Sequence, residues 1–120
     1  MARILAVDDS ASMRKMVAFT LKGAGHDVFE ASDGVDALKV ANAQQRFDLV
    51  ISDINMPNMD GIALIKELRS MPNFKFTPIL MLTTESGSDK KGEGKAAGAT
   101  GWIVKPFNPD QLLATIGKVL

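Results

Sequence analysis

The stretch Phe47-Asp48-Leu49-Val50-Ile51-Ser52-Asp53-Ile54-Asn55-Met56-Pro57 decides the fold. Its centre, Leu49-Val50-Ile51, is aliphatic without alternation, which suits a strand buried on both faces of a parallel sheet. Ser52-Asp53 brings a carboxylate to the carboxyl end of that strand. Asn55, Pro57, Asn58 and Gly61 break regular structure directly afterwards, so Asp53 is expected at a strand-to-loop edge. In open α/β sheets, ligands bind along that edge.

Outward from this stretch, strand and helix patterns alternate. Ile4-Leu5-Ala6-Val7 is a short apolar run that ends in Asp8-Asp9. Ser10 is placed to cap a helix in which Met13, Met16, Val17, Thr20 and Leu21 recur at helical spacing, and Gly23-Ala24-Gly25 stops it. His26 to Ala31 reads as a second strand, more polar, as an edge strand would be. Asp33-Gly34 marks a turn before a second helix carrying Val35, Leu38, Val40 and Ala41. Asp60 is the expected N-cap of a third helix, with Ile62, Ile65 and Leu68 on one face and Met71-Pro72-Asn73 ending it. Ile79-Leu80-Met81-Leu82-Thr83 is a fourth buried strand with a hydroxyl at its end.

Residues 86–98 predict only a weak helix, because Gly87, Gly92 and Gly94 each cost about 1 kcal/mol relative to Ala. Gly98 and Gly101 bracket the start of a fifth strand, Trp102-Ile103-Val104-Lys105. Asn108-Pro109-Asp110-Gln111 is a helix start with Asn as N-cap, Pro at N1 and Gln at N3. Leu112, Leu113, Ile116 and Leu120 form the stripe of that last helix. Five strands alternating with five helices predict a three-layer, doubly wound α/β domain with a parallel sheet.

Composition narrows the function. One domain over residues 1–120 is the reading for this length, and 46% hydrophobic residues can supply its core. Lys+Arg 14 balance Asp+Glu 14, which argues against nucleic acid or an anionic membrane surface as partner. Cys is absent, so disulfides and thiolate metal sites are excluded. No apolar run approaches the roughly 20 residues of a membrane span, and no signal-peptide core is present, so the expected location is cytoplasmic. His26, the single imidazole, is expected at the surface, at the end of the sheet away from Asp53. The Met residues mostly fall at core-facing spacings and read as packing.

The strand ends carry one chemistry: Asp8 and Asp9 after the first, Asp53 after the third, Thr83 after the fourth, Lys105 after the fifth. Taken singly, each has a structural reading. Asp8-Asp9 could cap a helix, Asp53 could form a turn, Thr83 could satisfy backbone, and Lys105 could be a solvated lysine. In a doubly wound sheet, however, all five point into one crevice. Three carboxylates there repel one another unless a divalent cation neutralises them, and an all-oxygen set favours Mg²⁺. Lys105 and Thr83 then suit phosphate oxygens, and a carboxylate nucleophile beside a cation is a route to an aspartyl-phosphate. The residues alone thus point to phosphoryl transfer onto Asp53.

At these positions the chain resembles the receiver domains of two-component response regulators, over its whole length. The motifs are Val7-Asp8-Asp9-Ser10, Ser52-Asp53-Ile54-Asn55-Met56-Pro57-Asn58-Met59-Asp60-Gly61, Leu82-Thr83-Thr84, Ala97-Gly98-Ala99 and Lys105-Pro106-Phe107. Within the family it is most similar to the single-domain chemotaxis regulators, and no output domain is expected after the last helix. The resemblance implies a flavodoxin-like sheet of order 2-1-3-4-5, carried over from the family rather than read from the residues. It implies that Asp53 accepts a phosphoryl group from a CheA-like sensor histidine kinase. Asp9 and Asp53 would hold Mg²⁺ through side chains, Asn55 through its backbone carbonyl and Asp8 through water. Lys105 would contact the phosphoryl group, with a cis Lys105-Pro106 bond.

The resemblance also implies a switch in which Thr83 moves toward the phosphoryl group and the aromatic Trp102 follows. The face formed by the fourth helix, fifth strand and fifth helix would then be repacked for a target. The best-known chemotaxis regulators carry Tyr, with a hydroxyl that Trp lacks, where Trp102 stands here. Asn55 and Glu85 flank the phosphoryl group and would tune its hydrolysis. The expected product is a monomeric signalling switch, catalysing only its own phosphoryl transfer and dephosphorylation. Its expected partners are the kinase, the flagellar motor switch protein and a phosphatase. Two alternatives stand beside it: a single-domain receiver in a non-motility pathway, and a phosphatase of the haloacid dehalogenase type. The latter resembles Asp-x-Asp-x-Thr at the nucleophile, whereas Asp53-Ile54-Asn55-Met56-Pro57 lacks the second carboxylate.

Overall fold

The computed structural model describes residues 2–44, 46–83 and 88–120, with backbone alone for 88–91. The strands are β1 (Arg3–Val7), β2 (Asp27–Ala31), β3 (Leu49–Asp53), β4 (Ile79–Thr83) and β5 (Gly101–Val104). Between and after them run α1 (Ala11–Gly23), α2 (Gly34–Gln44), α3 (Gly61–Arg69), α4 (Ser88–Ala97) and α5 (Pro109–Val119). All strand pairs are parallel, in the order β2-β1-β3-β4-β5, so the doubly wound sheet expected from the resemblance is the one formed. Among the described residues no helix is long and apolar enough to cross a membrane.

Alternation along each buried strand divides the core into two layers. Leu5, Val7, Val50 and Met81 face Ala37 and Ala41 of α2 and Leu64, Ile65 and Leu68 of α3. Ile4, Ala6, Leu49, Ile51, Leu80 and Leu82 face Val17 and Leu21 of α1 and Leu112 and Ile116 of α5. β3 is buried at all five positions, as its unalternating sequence requires, whereas the edge strand β2 buries only Ala31. The connections reverse direction between β1 and β3, and the site therefore belongs at the carboxyl ends of those two strands.

The caps follow the sequence closely. Ser10 accepts from Met13 N–H, Asp60 from Ala63 N–H, and Asn108 and Gln111 form a reciprocal capping box around Pro109. α4 forms over Ser88–Ala97 despite its glycines. Its end is a Schellman closure: Ala99 N–H donates to Gly94 O at 2.9 Å and Gly98 N–H to Lys95 O at 3.1 Å, with Gly98 at φ 114°. Arg69 of α3 locks that closure, donating through Nε and Nη2 to Gly98 O and through Nη1 to Phe74 O and Thr77 O. Tertiary contacts thus supply what the local propensity withholds.

Other expectations shift. β2 begins at Asp27, and His26 is half-buried, its Nδ1 accepting from Ala2 N–H at 3.1 Å at the end of the sheet away from Asp53. β5 runs from Gly101 to Val104, which leaves Lys105 just beyond it. Val35 and Leu120 are exposed, because the first turn of α2 and the last residue of the chain overhang the core that Ala37, Ala41, Leu112 and Ile116 fill. After α3, a short 3₁₀ turn, Pro72–Phe74, inserts the fully buried Phe74 under the sheet edge, which the Met71-Pro72-Asn73 stop signal does not foretell.

Candidate functional site

β1 and β3 lie side by side, with Val7 opposite Ser52, so the residues that follow them, Asp8 and Asp53, emerge together. Asp8 is buried; its Oδ1 accepts from Ser10 N–H at 2.9 Å, which turns the chain into α1. Asp53 is nearly buried, and its Oδ1 accepts from Ile54 N–H at 2.9 Å. Asp9, one residue on from Asp8, is exposed at the mouth of the crevice. Carboxylate oxygens of Asp8, Asp9 and Asp53 all lie within 4.8 Å of one another.

Lys105 completes the cluster from the other side of the sheet. Its backbone N–H donates to Thr83 O at 2.6 Å, so β4 positions it, and its peptide bond to Pro106 is cis, as expected. Its Nζ stands 3.4 Å from Asp8 Oδ2 and 3.4 Å from Asp53 Oδ2. Burial pushes the Asp53 carboxyl above its ordinary range; the Lys105 ammonium opposes that shift and the Asp8 carboxylate adds to it.

Thr83 ends β4 and is buried beside the cluster, one residue beyond the Asp53–Leu82 pair. Trp102 does not enter the crevice. The ladder pairs Met81 with Trp102 and Thr83 with Val104, so these four lie on one face of the sheet, where Met81 and half-buried Trp102 pack with residues of α3 and α4 while Val104 is exposed. Asn55 is exposed on the loop after β3, a loop closed by Gly61 N–H on Ile54 O at 2.7 Å. A Cβ on Gly61 would overlap the Asp53 carbonyl oxygen, so only glycine lets α3 start this close to the strand end. Glu85 and Thr84 lie outside the described residues.

Two arrangements around the crevice have no counterpart in the strand-end reading. Arg14, one turn into α1, donates through Nη1 to Asp8 O at 2.7 Å while its Nε meets Glu30 Oε1 at 3.3 Å. Asp33 and Asn58 join the loops after β2 and β3, with Asn58 Nδ2 donating to Asp33 Oδ2 at 2.7 Å. Neither Arg14–Glu30 nor Asp33–Asn58 joins residues adjacent in sequence, so periodicity carries no trace of them. The donor set is oxygen-only and holds three carboxylates against one ammonium, which fits a hard divalent cation such as Mg²⁺ and not a soft metal.

A doubly wound parallel sheet of this order, with an acidic crevice at its switch point and a lysine reaching into it, defines a flavodoxin-like α/β domain with a candidate ligand site. The chain belongs to the response regulator receiver domain family, whose model matches residues 4–117. It is 41% identical over 119 residues to the chemotaxis protein CheY1 of Helicobacter pylori, covering 98% of this chain and 96% of that one. Among solved structures it is similar to the chemotaxis protein CheY4 of Vibrio cholerae, with TM-score 0.96 and 57% identity over 100% of this chain and 99% of that one. It is also similar to the receiver domain of a Pseudomonas aeruginosa sensor histidine kinase, with TM-score 0.90, 26% identity, and 98% and 96% coverage. That structure has a magnesium ion coordinated in its active site cleft.

Proposed function

We propose that this chain is a two-component response regulator that takes a phosphoryl group from a sensor histidine kinase onto Asp53 and passes the signal on by changing its binding partners. The observation that carries the reading is the shared lysine: Lys105 Nζ bridges Asp8 and Asp53 at the ends of two different strands. Asp53 attacks the phosphorus of the donor phosphohistidine; the N–P bond breaks, its electrons return to the imidazole, and an acyl phosphate forms on Asp53. Lys105 meets the charge on the transferred oxygens. Asp8, Asp9, Asp53 and the Asn55 carbonyl would hold Mg²⁺, which supplies neutralisation of phosphoryl charge when bound. Hydrolysis reverses the state: water attacks phosphorus, the P–O bond to Asp53 breaks, and inorganic phosphate leaves. Asn55 and Glu85 tune that step.

Thr83 is buried at the end of β4, one residue beyond the Leu82 that pairs with Asp53, and Trp102 shares its face of the sheet. A shift of Thr83 toward the crevice frees space that Trp102 follows into, which alters the surface of α4, β5 and α5. The similarity to the H. pylori and V. cholerae chemotaxis proteins supports a chemotaxis role, with the flagellar motor switch protein as target and a phosphatase as terminator. The decisive experiment mixes the protein with Mg²⁺ and a small acyl phosphate and follows intact mass. One acid-labile phosphate per chain is expected, abolished by Asp53→Asn; stoichiometric labelling of that variant would overturn the assignment.

A further inference from the structure

The loop that presents Asn55 needs an anchor, since nothing in its own sequence is regular. Inside it, Met59 N–H donates to Pro57 O at 2.7 Å, and Asn58 sits in the left-handed region at φ 67°. Among the described residues, two hydrogen bonds tie the middle of this loop to another element, and both reach the start of α2. Asn58 Nδ2 donates to Asp33 Oδ2 at 2.7 Å, and Gly34 N–H donates to Met59 O at 3.3 Å. The approach is close enough that a Cβ on Gly34 would stand 2.7 Å from Met59 O.

Asp33 has two roles on two oxygens. Oδ1 accepts from Asp36 N–H at 2.8 Å and caps α2, while Oδ2 holds Asn58. Those two bonds, the Asp36 one first, keep its carboxyl below the usual carboxylate range. Asn is the non-glycine residue that best tolerates the left-handed conformation, and here the same side chain makes the tie. We propose that Asp33 is a positioning residue for the acidic pocket: through Asn58 it fixes the loop that offers the Asn55 carbonyl to the cation. The proposal rests on the magnesium reading above and adds to it a residue outside the carboxylate cluster. Without the tie the middle of the loop keeps only the Gly34 bond to α2 and is held less firmly before the cation binds, so affinity falls.

Two substitutions separate the tie from the cap. Asp33→Asn leaves one oxygen, and Asn is as good an N-cap as Asp, so α2 keeps its cap while Asn58 loses its acceptor. Asn58→Asp places two acceptors face to face. The double variant restores a donor–acceptor pair with the partners exchanged and the net charge unchanged. Calorimetric Mg²⁺ titration of the purified chain is expected to show each single variant about tenfold weaker, and the double variant within about threefold of wild type. Melting of the metal-free proteins, run alongside, reports structural damage separately. Asn58→Gly keeps the left-handed backbone without the tie and should match the loss in Asp33→Asn, whether or not the double variant folds. Wild-type binding with both Asp33→Asn and Asn58→Gly within about twofold of it would overturn this proposal alone. No Mg²⁺ response from the wild type would overturn the metal reading and this proposal with it.

Discussion

Lys105 Nζ lies 3.4 Å from Asp53 Oδ2, and the same ammonium lies 3.4 Å from Asp8 Oδ2. One cation thus serves two carboxylates that reach it from different strands, with a third, Asp9, within the same cluster. At 3.4 Å these are ion pairs of ordinary strength rather than tight hydrogen bonds, and the lysine is free to re-aim at an incoming anion.

Lys105→Met separates metal binding from phosphoryl transfer. Removing the cluster's ammonium leaves the carboxylates more in need of a cation, so Mg²⁺ should bind at least as tightly as in wild type. Labelling by a small acyl phosphate at saturating Mg²⁺ should fall about 100-fold, the scale of losing one charge-stabilising donor. Calorimetry and rapid-quench labelling of the same preparation check both halves.

The pH dependence of the metal-free protein follows from Asp53. Burial, the largest cause, raises its folded pKa above the unfolded value of 3.8, despite Lys105. The native state therefore holds its proton more firmly than the unfolded state does. Stability contributed by this group is full below the unfolded value and is lost as pH rises through the raised folded value. Asp53→Asn has no such loss. In the absence of divalent cations it should melt a few degrees above wild type at neutral pH, with the gap closing in acid, as read by thermal denaturation across a pH series.

Glycines divide by what surrounds them. Gly61→Ala forces a Cβ into the Asp53 carbonyl oxygen and Met81 Cε, and overpacking of this kind should cost about 1–3 kcal/mol in urea unfolding. A Cβ on Gly92 of α4 would meet nothing within 4 Å, so Gly92→Ala should stabilise the helix by up to about 1 kcal/mol. Equal and small effects at both positions would contradict the packing.

Strand ends were readable because their cause is local. Unalternating runs such as Leu49-Val50-Ile51 and Ile79 to Leu82 must be buried on both faces, and the polar residue that follows each run must stand at the edge. That logic finds Asp8, Asp9, Asp53, Thr83 and Lys105 one at a time. The caps at Ser10, Asp60 and Asn108 were readable for the same reason, since each is a bond within four residues.

What the amino-acid order by itself determined is therefore the alternation of elements and the chemistry at their ends. Only tertiary structure decided which ends meet. The crossover that sets β3 beside β1 brings Asp53 to Asp8, and the β4–β5 pairing brings Lys105 to both. Arg69 on Gly98 O and Asp33 on Asn58 are bonds between elements distant in sequence, and Arg14 on Asp8 O ties α1 back to the end of β1. They also explain where local propensity misleads: α4 is a helix despite its glycines because Arg69 and the Gly98 closure hold its end. Hydrogen bonds of this kind depend on register and distance in space, which a one-dimensional pattern of apolar and polar residues does not encode.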